Sequence, residues 1–208
     1  MSRKIIFFGD SIIENKSNRK ISSWSIKLKK LIKSNSRKKN NFFTYAYSGL
    51  NSRKALDFLP NILIKNKNIH FIIIQIGIND SWHFESLKGL ANVSEESFRS
   101  NLNEIYLKCK KFQIKNIIFL TYHKLLKNRV EINKKNLNQN LDRYTKIIKK
   151  FCTINNLLCI DILKETKNID PKILCKKLPD GVHLSEKGTE IYSKIIFKNL
   201  KKFYEKEI

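Results

Sequence analysis

Five short, almost continuous apolar runs punctuate the chain, at 4–8, 42–47, 70–76, 117–122 and 157–162. Each is rich in isoleucine, phenylalanine or tyrosine and carries few polar alternates. That is the pattern of strands covered on both faces within a parallel sheet. Between them the apolar positions recur at helical spacing, over about 22–33, 53–65, 95–112 and 134–153. A last helical stretch runs from about 185 to 205, where Ile191, Tyr192, Ile195, Ile196, Leu200 and Phe203 share one face and leave lysines on the other. Strict alternation of strand and helix predicts an α/β three-layer domain with a parallel sheet and right-handed crossovers. Neither an internal repeat nor a linker interrupts it, so 1–208 reads as a single domain. In such sheets ligands bind beyond the carboxyl ends of the strands.

Composition agrees with a globular domain. The hydrophobic fraction is 41%, with only 3 prolines and 6 glycines, which excludes disordered and collagen-like chains. The first apolar run, Ile5 to Phe8, is too short for a signal segment or a membrane span and is followed at once by turn residues. The expected compartment is therefore the cytoplasm. Cys109, Cys152, Cys159 and Cys175 form no CxxC pair and have no nearby histidine, so free thiols are expected, with neither a zinc site nor a disulfide framework.

The charge changes the picture more. The formal net charge is +24, which raises nucleic acid or another anionic surface as a partner. Yet 35 of the 42 basic residues are lysine and only 7 are arginine, the fork preferred for phosphates and base edges. Lysine, isoleucine, asparagine, phenylalanine and tyrosine share A- and T-rich codons, so compositional drift produces the same charge. No specific nucleic-acid partner is expected.

Candidate chemistry gathers where the sheet rule places it. Gly9-Asp10-Ser11 follows the first strand, Ser48-Gly49 the second and Gly77-Ile78-Asn79-Asp80 the third; Asp180-Gly181-Val182-His183 precedes the last helix. A serine hydroxyl needs a base to become a nucleophile, and histidine is the usual base near neutral pH. Asp180 stands three residues before His183, close enough for one turn to join them, and a carboxylate so placed orients the imidazole. Attack on an ester creates an oxyanion, for which the Ser11 N–H, the Gly49 N–H and the Asn79 amide are available donors. Taken singly, Ser11 also suits a helix N-cap and Asn79-Asp80 a simple turn. Asp10 is expected to hold the nucleophile turn, and Asp80 the loop after the third strand.

These blocks resemble those of the SGNH/GDSL hydrolase family. Gly9-Asp10-Ser11-Ile12 looks like its GDSL block with isoleucine for leucine. Gly49 looks like the glycine of the second block, Gly77-Ile78-Asn79-Asp80 like GxND, and Asp180-Gly181-Val182-His183 like DxxH. The four occur in order, and the resemblance spans about positions 4 to 204. The resemblance implies a flavodoxin-like five-stranded parallel sheet of order 2-1-3-4-5. It also implies ester or thioester hydrolysis through an acyl-enzyme, with no metal and no cofactor. Ser11, Asp180 and His183 become the catalytic set, Ser11, Gly49 and Asn79 the oxyanion hole, and Asp10, Gly77 and Asp80 its support.

One departure is Tyr122-His123-Lys124, where many relatives carry a proline-rich turn. Another is the long stretch 81–94 after GxND. Trp82, His83, Phe84 and His123 are accordingly expected near the substrate pocket. The favoured substrate is a short-chain, O-acetyl ester, of a carbohydrate in the leading reading. An acyl-thioesterase, a lysophospholipase and an O-acyltransferase use the same residues. A basic binding protein on an inactive hydrolase fold is the reading from a different class, and an intact set of Ser11, Asn79, Asp180 and His183 argues against it.

Overall fold

The computed structural model describes residues 3–14, 22–36, 38–83, 89–128 and 134–203. Five strands, β1 (Arg3–Gly9), β2 (Asn40–Ala46), β3 (Ile69–Gln75), β4 (Asn116–Leu120) and β5 (Leu158–Ile160), form one sheet of order β2-β1-β3-β4-β5. Every pairing is parallel. The helices are α1 (Ser11–Glu14), α2 (Trp24–Asn35), α3 (Ser52–Lys65), α4 (Glu95–Lys111), α5 (Leu137–Ile154), α6 (Ile162–Glu165), α7 (Pro171–Leu174) and α8 (Glu186–Phe203).

The continuous apolar runs are explained by two separate cores. Successive strand residues point to opposite faces. Ile5 and Phe7 of β1, with Phe71 and Ile73 of β3, pack under α2 and α8, against Trp24, Leu28, Tyr192 and Ile196. Ile6 and Phe8, with Ile72 and Ile74, pack on the other side against Leu59 of α3, Phe98 and Leu102 of α4, and Ile148 of α5. A strand sandwiched this way has no polar face to show. The two edge strands, β2 and β5, keep half-buried residues.

Side-chain caps fix the helix starts. Ser23, Asn51 and Ser94 accept from Ile26, Lys54 and Ser97 N–H, and Asn136 with Gln139 forms a capping box at α5. That box places the start of α5 at Leu137, later than periodicity alone suggests. At β5 the expected run to 162 stops at Ile160, because Asp161 caps α6 by accepting from Lys164 N–H. Ile162 stays fully buried as the first residue of that short helix. Among the described residues no helix is long and apolar enough to cross a membrane.

Candidate active site

β1 delivers its last residue, Gly9, into a position that tolerates no side chain. A Cβ there would lie 2.0 Å from the Gln75 carbonyl oxygen of β3. The chain then turns into α1. Asp10 is fully buried; its Oδ1 accepts from Ile12 N–H at 2.9 Å, and its Oδ2 accepts a hydrogen bond from the Tyr122 hydroxyl. Burial pushes the Asp10 carboxyl up to about 7, against the pull of these two donors. The result is a fixed turn that presents Ser11 half-buried at the carboxyl edge of the sheet.

His183 reaches that serine from the segment before α8. Its Nε2 is 2.9 Å from Ser11 Oγ, and its Nδ1 is 3.1 and 3.0 Å from the two carboxylate oxygens of Asp180. A carboxylate only accepts, so Nδ1 carries the hydrogen and the Nε2 lone pair faces the serine. Asp180 also builds the turn: its Oδ1 accepts from the backbone N–H of Val182 and of His183, both at 2.9 Å. Burial tends to raise the Asp180 carboxyl, but the two backbone donors and His183 outweigh it, and the group lies below the ordinary carboxylate range. The sequence spacing thus becomes a continuous chain of contacts, Asp180 to His183 to Ser11.

Two more loops close on this chain. Gly49 has a positive φ of 71°, and no atom lies within 4 Å of where its Cβ would be, so the turn opens onto free space. The Asn79 amide donates to the Leu50 carbonyl at 2.9 Å, which ties the third-strand loop to the Gly49 turn and leaves the second amide hydrogen for another acceptor. Asp80 is buried, and its two oxygens accept from Ser52 N–H at 2.9 and 3.1 Å, anchoring the start of α3. Its carboxyl is raised to about 6, chiefly by burial. Gly77, at φ 131°, starts this loop, and its carbonyl accepts from Ser81 N–H.

The residues expected around the substrate divide. Trp82 is half-buried and its carbonyl accepts from Asn92 N–H. His83 is largely buried, bridges Ala91, and donates from Nδ1 to the Ser81 carbonyl at 3.0 Å. Phe84 lies outside the described residues. His123 is fully buried. Its ring is held between the Tyr192 hydroxyl and the Val182 carbonyl, and burial lowers its pKa to about 4. Tyr122 is a supporting residue that sequence reasoning misses. The available signal is its place directly beyond the fourth strand, at the edge where every other polar cluster sits.

Among the described residues no group of three or more histidine, cysteine, aspartate or glutamate side chains is arranged to hold a metal ion. The four cysteines are unpaired, with Cys109, Cys152 and Cys175 buried and Cys159 half-buried.

Several solved structures share this architecture. An acetylxylan esterase from Geobacillus stearothermophilus superposes with a TM-score of 0.76 at 20% identity, over 95% of this chain and 94% of that one. Structures of that esterase include catalytic mutants in which a serine, an aspartate or a histidine is replaced by alanine. An α/β hydrolase from the metagenome of Lake Arreo in Spain superposes with a TM-score of 0.76 at 18% identity, again over 95% and 94% of the two chains. At such identity these likenesses speak for the fold. No curated protein sequence matches the chain significantly. The family model described as GDSL-like lipase/acylhydrolase matches residues 5–196. The chain therefore belongs to the GDSL-like lipase/acylhydrolase family and is a hydrolase of carboxylic esters.

Proposed function

We propose that Ser11 is the nucleophile of a short-chain ester hydrolase whose preferred substrate is an O-acetyl ester of a carbohydrate. The observation that carries the reading is the unbroken contact chain from Asp180 through His183 to Ser11, 2.9 Å at its last link. As Ser11 Oγ attacks the ester carbonyl carbon, His183 Nε2 takes the hydroxyl proton, and Asp180 steadies the imidazolium. The carbonyl oxygen becomes an oxyanion, held by Ser11 N–H, Gly49 N–H and the free hydrogen of the Asn79 amide. The tetrahedral centre collapses, the bond to the alcohol oxygen breaks, and His183 returns the proton to the leaving alcohol. Water then attacks the acyl carbon with His183 Nε2 taking its proton, the bond to Ser11 Oγ breaks, His183 returns the proton to Oγ, and the acid leaves.

The substrate class rests on the openness of the site. Gly49 is exposed beneath free space, and the His183 side chain retains 24% of its exposure. A shallow site of this kind selects by a small acyl group held over the oxyanion donors, with a polar alcohol left in solvent. The acetylxylan esterase with the same fold supports a sugar as that alcohol. Measuring kcat/KM across p-nitrophenyl esters of increasing chain length tests this, with acetylated sugars in parallel. Acetyl to butyryl esters should be fastest, and the acetylated sugar should release acetate. A maximum at eight or more carbons would contradict the reading and favour a lysophospholipase or acyl-thioesterase.

A further inference from the structure

One buried polar group beside the site takes no part in the chemistry above. His123 lies just beyond β4 and touches both the turn before α8 and α8 itself. Its Nε2 is 3.1 Å from the Val182 carbonyl oxygen, and its Nδ1 contacts the Tyr192 hydroxyl of α8. A carbonyl only accepts, so Nε2 carries the ring hydrogen, and Nδ1 accepts from Tyr192 O–H. The Tyr192 oxygen in turn accepts from the backbone N–H of His123 at 3.2 Å. All three residues of this cluster are buried, so each polar atom in it depends on its partner rather than on water.

The peptide unit between Val182 and His183 is the one this cluster grips. Its N–H, which belongs to His183, is held by Asp180 Oδ1 at 2.9 Å. Its C=O, which belongs to Val182, is held by His123. The plane that carries the Cα of His183 is thus fixed at both ends, from Asp180 in its own turn and from the β4 edge. Tyr192 is itself wedged by its ring against Trp24 of α2, at a centroid distance of 6.3 Å, which keeps the far end of the cluster rigid.

We infer that His123 is a positioning residue for the reaction: with Tyr192 it fixes the Val182–His183 peptide and so aims the His183 imidazole at Ser11. The inference rests on the proposed roles of Ser11 and His183. Its chemistry requires a neutral ring with the hydrogen on Nε2, and a cation there would also oppose the imidazolium that forms on His183. Burial keeps the ring neutral, with its pKa near 4. Tyr192 selects the tautomer by occupying Nδ1.

The test compares His123→Phe, His123→Gln and Tyr192→Phe with the unaltered enzyme, using p-nitrophenyl acetate and a thermal melt for each. Phenylalanine keeps the volume and removes the donor, and misaiming a reacting group by about an ångström costs on the order of 100-fold. His123→Phe should lower kcat by about 10- to 100-fold, with KM within about twofold of the unaltered value. His123→Gln, which can again donate to Val182, should recover a large part of that loss. Tyr192→Phe should lower kcat in the same sense by a smaller factor. If His123→Phe melts below the assay temperature, Tyr192→Phe and His123→Gln decide. Unchanged kcat in a folded His123→Phe would overturn the inference, as would a glutamine variant no better than phenylalanine, or an unaffected Tyr192→Phe. Ser11→Ala is assayed alongside: hydrolysis surviving there sinks the reading of the whole site, whereas an inactive Ser11→Ala beside a fully active His123→Phe sinks the role of His123 alone.

Discussion

Asp180 does two jobs with one carboxylate. Oδ1 gathers the Val182 and His183 amides, while both oxygens face His183 Nδ1. In Asp180→Asn the amide oxygen is committed to the backbone donors, so the NH2 group turns to Nδ1. That forces the imidazole hydrogen onto Nε2, facing Ser11, where it cannot accept a proton. We expect kcat to fall by about 10³- to 10⁴-fold with the fold intact, the size of loss known when a triad histidine takes the wrong tautomer; a loss under tenfold would mean that Asp180 only shapes the turn. His183→Ala should abolish turnover altogether. Asp10 supports a prediction of a different kind. Its carboxyl is raised from 3.8 to about 7 by burial, so the folded state holds this proton more tightly than the unfolded chain. The stabilisation from that proton is fully present below pH 3.8 and is lost as pH rises through about 7. The melting temperature of the unaltered enzyme relative to Asp10→Asn should therefore drop steadily across this interval; a constant difference would contradict it. Sequence spacing reveals Asp180 and His183 because they lie within one turn. It cannot reveal that Tyr122 donates to Asp10, or that Tyr192 and Val182 enclose His123. Those partners are 112, 69 and 59 residues apart and meet only when the sheet and α8 are assembled.

At the scale of elements, the five strands and five long helices are legible because the central strands are buried on both faces, the edge strands are still strongly apolar, and each helix is buried on one face. Their ends are not, since caps rather than periodicity set them. Asn136 and Gln139 decide where α5 begins, and Asp161 ends β5 early. The short helices α6 and α7 carry too few residues for a periodic signal. The contact between β1 and β3 offers a direct test of how tightly the elements place the nucleophile turn. A Cβ on Gly9 would meet the Gln75 carbonyl at 2.0 Å and Ile13 Cδ1 at 2.8 Å, and a backbone carbonyl in the middle of a sheet cannot step aside. Gly9→Ala should lose about 1–3 kcal/mol of stability and activity with it, because Ser11 is only two residues on. Unchanged unfolding in denaturant would show that the strands tolerate a spacing the structure does not allow.

For the molecule as a whole, the +24 charge stands apart from the chemistry. Lysines occupy exposed faces of the helices, as on α5, where Lys146 pairs with Asp142 one turn away and Lys150 is exposed. We propose that such a surface attracts polyanions without reading them. Titration with duplex DNA should show weak association that disappears steeply with added salt, and salt-resistant, sequence-selective binding would promote a binding role. The fold and the family describe an ester hydrolase; the proposed mechanism assigns its chemistry to a single serine, Ser11, activated by His183. Covalent labelling with a fluorophosphonate followed by peptide mapping tests that claim most directly. The label should fall on Ser11, and Ser11→Ala should lose both labelling and hydrolysis; a label on another residue, or hydrolysis that survives in Ser11→Ala, would contradict it.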